Sequence, residues 1–190
     1  MPGATFRKAR AALSRWDFLR REDGTIAIEA MIIMPALFWT YLAMFSTFHT
    51  FETYSLNQKA AFTVSDAISR ETLPIDSAYL DGAFDLFEYL ARSKGSASMR
   101  VSVVYFDAAN DRFLLDWSQN RGAVAPLTDA DIQSWNSRLP TVPDNERVIL
   151  VETWNRYDPP FKTGLEEQNI HNFVFNRPRY APQVCWNTCG

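Results

Sequence analysis

At 190 residues the chain has length for one domain plus an appendage. Its 47% hydrophobic and 14% aromatic content suffices for a packed core, and a formal net charge of -3 gives no global attraction for nucleic acid. The charge is unevenly placed: residues 1–24 hold six basic side chains (Arg7, Lys8, Arg10, Arg15, Arg20, Arg21) against three acids (Asp17, Glu22, Asp23), and the remainder is acidic. A basic head before an acidic body is the pattern of a segment retained inside while the rest crosses a membrane.

From Ala30 to Phe51 there is no Asp, Glu, Lys or Arg. As a helix those residues span about 33 Å, enough for a hydrocarbon core of ~30 Å. A buried core helix is the alternative, but at this length a soluble helix shows a polar face. A removable secretory signal would need a small-x-small site after the run, and Ser46-Thr-Phe-His-Thr-Phe-Glu52 supplies none. Arg20-Arg21 is followed by Glu22-Asp23-Gly24, where a twin-arginine signal needs an apolar continuation. The expectation is therefore a basic cytosolic leader over 1–24, a transmembrane helix over 25–51 and a periplasmic domain over 52–190, anchored by a single pass in a bacterial inner membrane.

Beyond the apolar run, Leu56, Ala60, Val64, Ala67 and Ile68 keep helical spacing. One helix is expected to continue from the membrane into the domain until Leu73-Pro74, since proline has no amide to donate. A second helix follows, capped by Asp76 or Ser77, with Leu80, Phe84, Phe87 and Ala91 on one face and an end near Ser93-Lys94-Gly95. Met99 to Asp107 and Phe113 to Trp117 alternate and read as a hairpin pair. Thr128-Asp-Ala-Asp131 resembles a capping box, with Ile132, Trp135 and Leu139 marking a short helix that Pro140 closes. Arg147 to Trp154 and His171 to Phe175 are the third and fourth strands. This order predicts an α+β domain with an antiparallel sheet packed on helix.

The residues at the membrane entry carry most information. Gly24-Thr-Ile-Ala-Ile-Glu29 places a glycine at the end of a charged leader and, five positions later, the only ionised group of the anchor. A carboxylate there costs several kcal/mol unless neutralised or snorkelling to water. In this the chain resembles type IV prepilins, in which a dedicated peptidase cuts after the glycine and the carboxylate faces the new amino terminus of a neighbouring subunit. The resemblance implies that Thr25 becomes the mature first residue and Glu29 the assembly carboxylate.

Within that group, Gly24-Thr-Ile-Ala-Ile-Glu-Ala-Met-Ile-Ile-Met-Pro35 looks like the start of TadE, TadF and TadG-type pseudopilins of the tight-adherence pilus, and Asp116-Trp117-Ser118, Val148-Ile-Leu-Val-Glu-Thr153 and Arg177-Pro-Arg179 add to the likeness. Ala30 stands where many relatives of the major pilin carry an aromatic, and the chain is short for a TadG-type protein, so the resemblance is to a TadE or TadF-like minor component. It implies assembly or initiation of a thin type IVb pilus used in surface attachment. The implied partners are other pilin and pseudopilin subunits, the prepilin peptidase and the inner-membrane assembly platform.

Five further features are read from their residue types and context. Pro35 removes the amide that would bond the Met31 carbonyl, giving either curvature for helical packing or a proline that any membrane helix tolerates. Cys185 and Cys189 read as a local disulfide in an oxidising compartment; the competing reading is free or metal-bound thiols, as in copper-handling periplasmic accessory proteins. Arg177 and Arg179 could grip a partner's carboxylate or serve an intradomain salt bridge or solvated loop. Asp129 and Asp131 are first-turn acids that stabilise a helix start rather than a catalytic pair. His171 is a strand residue, and no second histidine completes a metal site with it.

No G-x-S-x-G, H-E-x-x-H, phosphate-binding glycine loop or dinucleotide fingerprint is present, and there are only seven glycines. Neither an enzyme nor a cofactor is expected. Basic residues after Gly24 are dispersed, so nucleic acid is not an expected partner either.

Overall fold

A computed structural model describes residues 25–93, 95–135, 138–161 and 164–189. The elements in chain order are α1 (Thr25–Ser69), α2 (Ser77–Ala91), β1 (Ser98–Asp107), β2 (Arg112–Arg121), α3 (Asp129–Gln133), β3 (Arg147–Tyr157) and β4 (Gln168–Asn176). The chain divides into two compact units, 1–45 and 46–190. In the first, the described residues form a helix with Pro35 inside it. The second is an α+β domain whose four-stranded antiparallel sheet has the order β2-β1-β3-β4.

Strand alternation explains how the domain is filled. Met99, Val101 and Val103 of β1, with Ile149 and Val151 of β3 and Val174 of β4, join a core containing Ala60, Ala61, Val64 and Ile68 of α1 and Leu80, Phe87 and Ala91 of α2. Val104, Val148 and Leu150 belong instead to a second core with Phe113, Ile132, Trp135, Leu139 and Val142. The two central strands are thus covered on both faces, which is why Val148-Ile-Leu-Val151 is continuously apolar.

Local chemistry sets the element ends. Asp76 caps α2 by accepting from the Tyr79 amide at 2.8 Å. At the other end the left-handed residue is Arg92, with φ 53°, and its amide bonds back to the α2 carbonyls, so no glycine supplies the turn directly. The β1–β2 connection is held by Asp107, which accepts from the Asn110 side chain at 2.7 Å and from the Ala109 amide; the Asn110 bond keeps its carboxyl below the usual aspartate range.

Four elements differ in extent from the sequence pattern. β2 runs on to Arg121, four residues beyond Trp117, because Ser118 and Arg121 gain partners that hydropathy does not register: Ser102 Oγ at 2.8 Å and Asp81. α3 has only five residues, yet Ile132, Trp135 and Leu139 are all buried, the last two from turns that follow it. β3 extends by three residues, to Tyr157, and β4 by four, back to Gln168 and on to Asn176.

Candidate functional site

The apolar part of α1 is the first candidate. One described helix, α1, is long and apolar enough to cross a membrane by length and composition. Ile26 to Tyr41 are all exposed, including Met31 at 77% and Trp39 at 60%. Among them Glu29 is the one charged side chain, also exposed, and Pro35 follows six residues later. Thr40 returns its hydroxyl to the Ala36 carbonyl at 2.8 Å, so that hydroxyl is satisfied within the helix. Thr25 opens α1. Gly24 and the leader 1–24 lie outside the described residues.

From Ser46, still inside the uncharged run 30–51, α1 belongs to the domain unit. The Tyr157 hydroxyl lies 3.0 Å from His49 Nδ1 and accepts from the Thr50 hydroxyl at 3.0 Å, while Tyr54 donates to Gln168 at 2.7 Å. Asn155 donates to the buried Asn57 side chain at 2.9 Å. Polar side chains of β3 and β4 therefore hold α1 before its apolar face, from Ala60 on, enters the core.

The Arg177-Pro-Arg179 segment is spent inside the domain. Arg177 pairs with Glu146 at 2.8 Å; Arg179 reaches Asp66 at 2.9 Å, and its amide donates to the Ser69 carbonyl at 2.8 Å. That carbonyl is one that α1 leaves without a helical partner at its end, and two cations, Arg70 and Arg179, sit at the same terminus on Asp66. Their ion-pair partners are thus intradomain.

Cys185 and Cys189 are bonded to each other, with a Cα–Cα distance of 5.2 Å. The loop they close docks through backbone: Ile75 donates to the Cys185 carbonyl at 2.9 Å and Asn187 donates to the Ile75 carbonyl at 2.8 Å. Trp117 donates its indole N–H to the Val184 carbonyl at 2.8 Å and packs beside Trp186. With both sulfurs in that bond neither is a thiolate ligand, and no group of three or more His, Cys, Asp or Glu among the described residues is placed to hold a metal ion.

Asp129 and Asp131 also have local duties. Asp131 accepts from the Thr128 hydroxyl and amide at 2.7 and 2.9 Å, and those bonds hold its carboxyl below the ordinary range. Asp129 accepts from the Leu115 amide at 3.2 Å.

One constellation has no signal in the sequence pattern. Glu152, with its side chain 3% exposed, accepts from Arg100 Nε at 2.8 Å and Nη2 at 2.5 Å. His171 Nε2 lies 3.5 Å from the other carboxylate oxygen, and its ring stacks on Trp154 at 4.8 Å. Arg100 also stands over the Trp154 ring. These residues are 52 or more positions from Arg100 in sequence and meet only through the register that pairs Arg100 with Glu152 and Trp154 with His171.

No protein-family model, curated protein or solved structure matches this chain.

Proposed function

We propose that this chain is a minor pseudopilin, TadE or TadF-like, that acts in assembly of a tight-adherence pilus and in surface attachment. The observation that carries the reading is the helix Thr25–Ser69: its first part is bare and apolar with a single carboxylate, Glu29, and its last part packs into a domain with an antiparallel sheet. A membrane supplies the missing cover for the first part, and a carboxylate near its entry is retained at a cost that a neighbouring subunit's amino terminus would offset.

On this reading the helix crosses the inner membrane once, with the basic leader cytoplasmic and the domain periplasmic. The Cys185–Cys189 bond supports the oxidising side for the domain. The partners are other pilin and pseudopilin subunits, the prepilin peptidase, which cuts between Gly24 and Thr25, and the inner-membrane assembly platform. The role is structural, with no catalysis by this chain.

Intact-mass analysis and amino-terminal sequencing of membrane-extracted protein, from cells with and without the prepilin peptidase, test the proposal. The expected mature residue is Thr25 only where the peptidase is present. A chain that keeps its leader in both strains, or begins near residue 50, rules the pseudopilin reading out and leaves a signal-anchored accessory protein or a secreted one.

A further inference from the structure

The domain contains a cleft of about 330 Å³, at the lower end of ligand-site sizes. His49 and Glu52 of α1, Arg92 and Ser93 at the end of α2, and Arg156 and Asp158 at the end of β3 line it. Its floor is fixed: Asn155 is buried, accepts from the Ser93 and Ser96 hydroxyls at 3.2 and 3.3 Å and donates to Asn57. The charges at its mouth come in pairs. Arg92 meets Glu52 at 3.2 Å, and Arg156 meets Asp158 at 3.2 Å and also Glu167. All five side chains are more than half exposed, so these pairs hold each other weakly and can exchange partners with a ligand at small cost.

The charge pattern selects the ligand. Two guanidinium groups offer forked donors to a phosphodiester. A bare anion would also face the two carboxylates that line the cleft, Glu52 and Asp158, so the fitting ligand carries a cation beside its phosphate. A primary ammonium, with three N–H donors, can bond those carboxylates; a trimethylammonium cannot. Position along α1 points to the source. Glu52 is the first charged residue after the uncharged run 30–51, whose 22 residues rise about 33 Å as a helix against a hydrocarbon core of ~30 Å. On the anchored reading, Glu52 and the cleft it lines therefore lie at headgroup depth, where α1 leaves the membrane.

We infer that this cleft binds the headgroup of a zwitterionic phospholipid with a primary ammonium, its phosphate on Arg92 and Arg156 and its ammonium on Glu52 and Asp158. The inference rests on the anchored reading of α1 given above. A bound headgroup would fasten the domain to the membrane surface beside the point where α1 emerges.

The test uses the full chain in vesicles of phosphatidylethanolamine with phosphatidylglycerol, or of phosphatidylcholine with phosphatidylglycerol. Flotation reads insertion, and native mass spectrometry after gentle extraction reads retained lipid. The expected result is equal flotation in both vesicles, with one phosphatidylethanolamine retained per chain and no comparable retention of phosphatidylcholine. Arg92→Gln with Arg156→Gln should float normally and lose the retained lipid; Glu52→Gln should float normally and lose the preference between the two lipids. Phosphoethanolamine added to lipid-stripped protein forms a third arm, and binding there with no lipid retained from either vesicle would overturn the lipid assignment. Normal flotation with equal retention of both lipids by wild type and variants overturns the cleft inference alone. Failure of the wild type to float overturns the anchored reading, and the cleft inference with it.

Discussion

Glu152 occupies a place where the strand pattern calls for an apolar side chain: Val148 and Leu150, on the same face of β3, are fully buried. Burying a carboxylate there is tolerable only because Arg100 contributes two N–H groups from the neighbouring strand. Such a pair gives little net stability, yet losing one member leaves the other charge buried without its partner. Arg100→Met should therefore destabilise the domain by about 3–5 kcal/mol, whereas Arg100→Met combined with Glu152→Met should cost clearly less than the single change. Urea unfolding of the detergent-solubilised full chain, followed by tryptophan fluorescence, measures both. If the double variant is as unstable as the single one, the stranded carboxylate is not the cause. Arg100 also donates to the Ala125 carbonyl at 3.0 Å, so part of any loss belongs to the segment after β2.

Two connecting elements depend on features that a hydropathy pattern does not register. Gly122 follows β2 with φ +83°, and a Cβ there would stand 2.7 Å from the Ala97 carbonyl oxygen and 2.9 Å from Ser98 Cα. Backbone atoms cannot swing aside, so Gly122→Ala should cost about 1–3 kcal/mol and lower the thermal midpoint in a scanning measurement. The Cys185–Cys189 bond closes so short a loop that its entropic contribution is about 2 kcal/mol, and Cys185→Ser with Cys189→Ser should lose about that much. Because Trp186 packs 5.6 Å from Trp117, the same variant should change tryptophan emission before global unfolding. An unchanged spectrum would mean that the tail stays docked through Ile75 without the bond. These cases show what the sequence leaves legible. Helical spacing and Pro74 located α1 and α2, alternation located β1 and a Val- and Ile-rich run located β3, because those elements bury one or both faces. The polar end of β2 was missed because its side chains find hydrogen bonds rather than apolar cover. The Arg100–Glu152 pair was missed because register, not spacing, brings it together, and Arg177 and Arg179 found partners within the domain that no local pattern names. Glu29 stands out in the sequence as a lone charge in an apolar run, and its assembly role belongs to the proposal.

At the scale of the whole molecule, α1 differs in character along its length. Its last part is chosen for packing, with Ala60, Ala61 and Val64 buried against strands; its first part exposes large apolar side chains that water would reject. Glu29 is the exception within that first part, and the pseudopilin proposal gives it the mechanism: an ion pair with a neighbouring subunit's amino terminus during assembly. Replacing Glu29 by Leu separates anchoring from assembly. Removing a carboxylate from an apolar helix lowers the insertion cost, by ~2.5 kcal/mol or more at mid-membrane depth and less near an interface, so Glu29→Leu should reach the membrane at least as well as wild type. Cleavage after Gly24 should persist, since that site lies five residues away. Co-purification with other pilus components and surface attachment should nevertheless be lost. A helix that serves only as an anchor predicts the opposite pattern, because a more apolar anchor works equally well in every assay. The measurements are membrane fractionation, amino-terminal sequencing, affinity co-purification and an attachment count on the same cells. If Glu29→Leu cells attach and carry pili like wild type, the carboxylate has no part in assembly and the proposed mechanism fails even with the leader cleaved at Gly24.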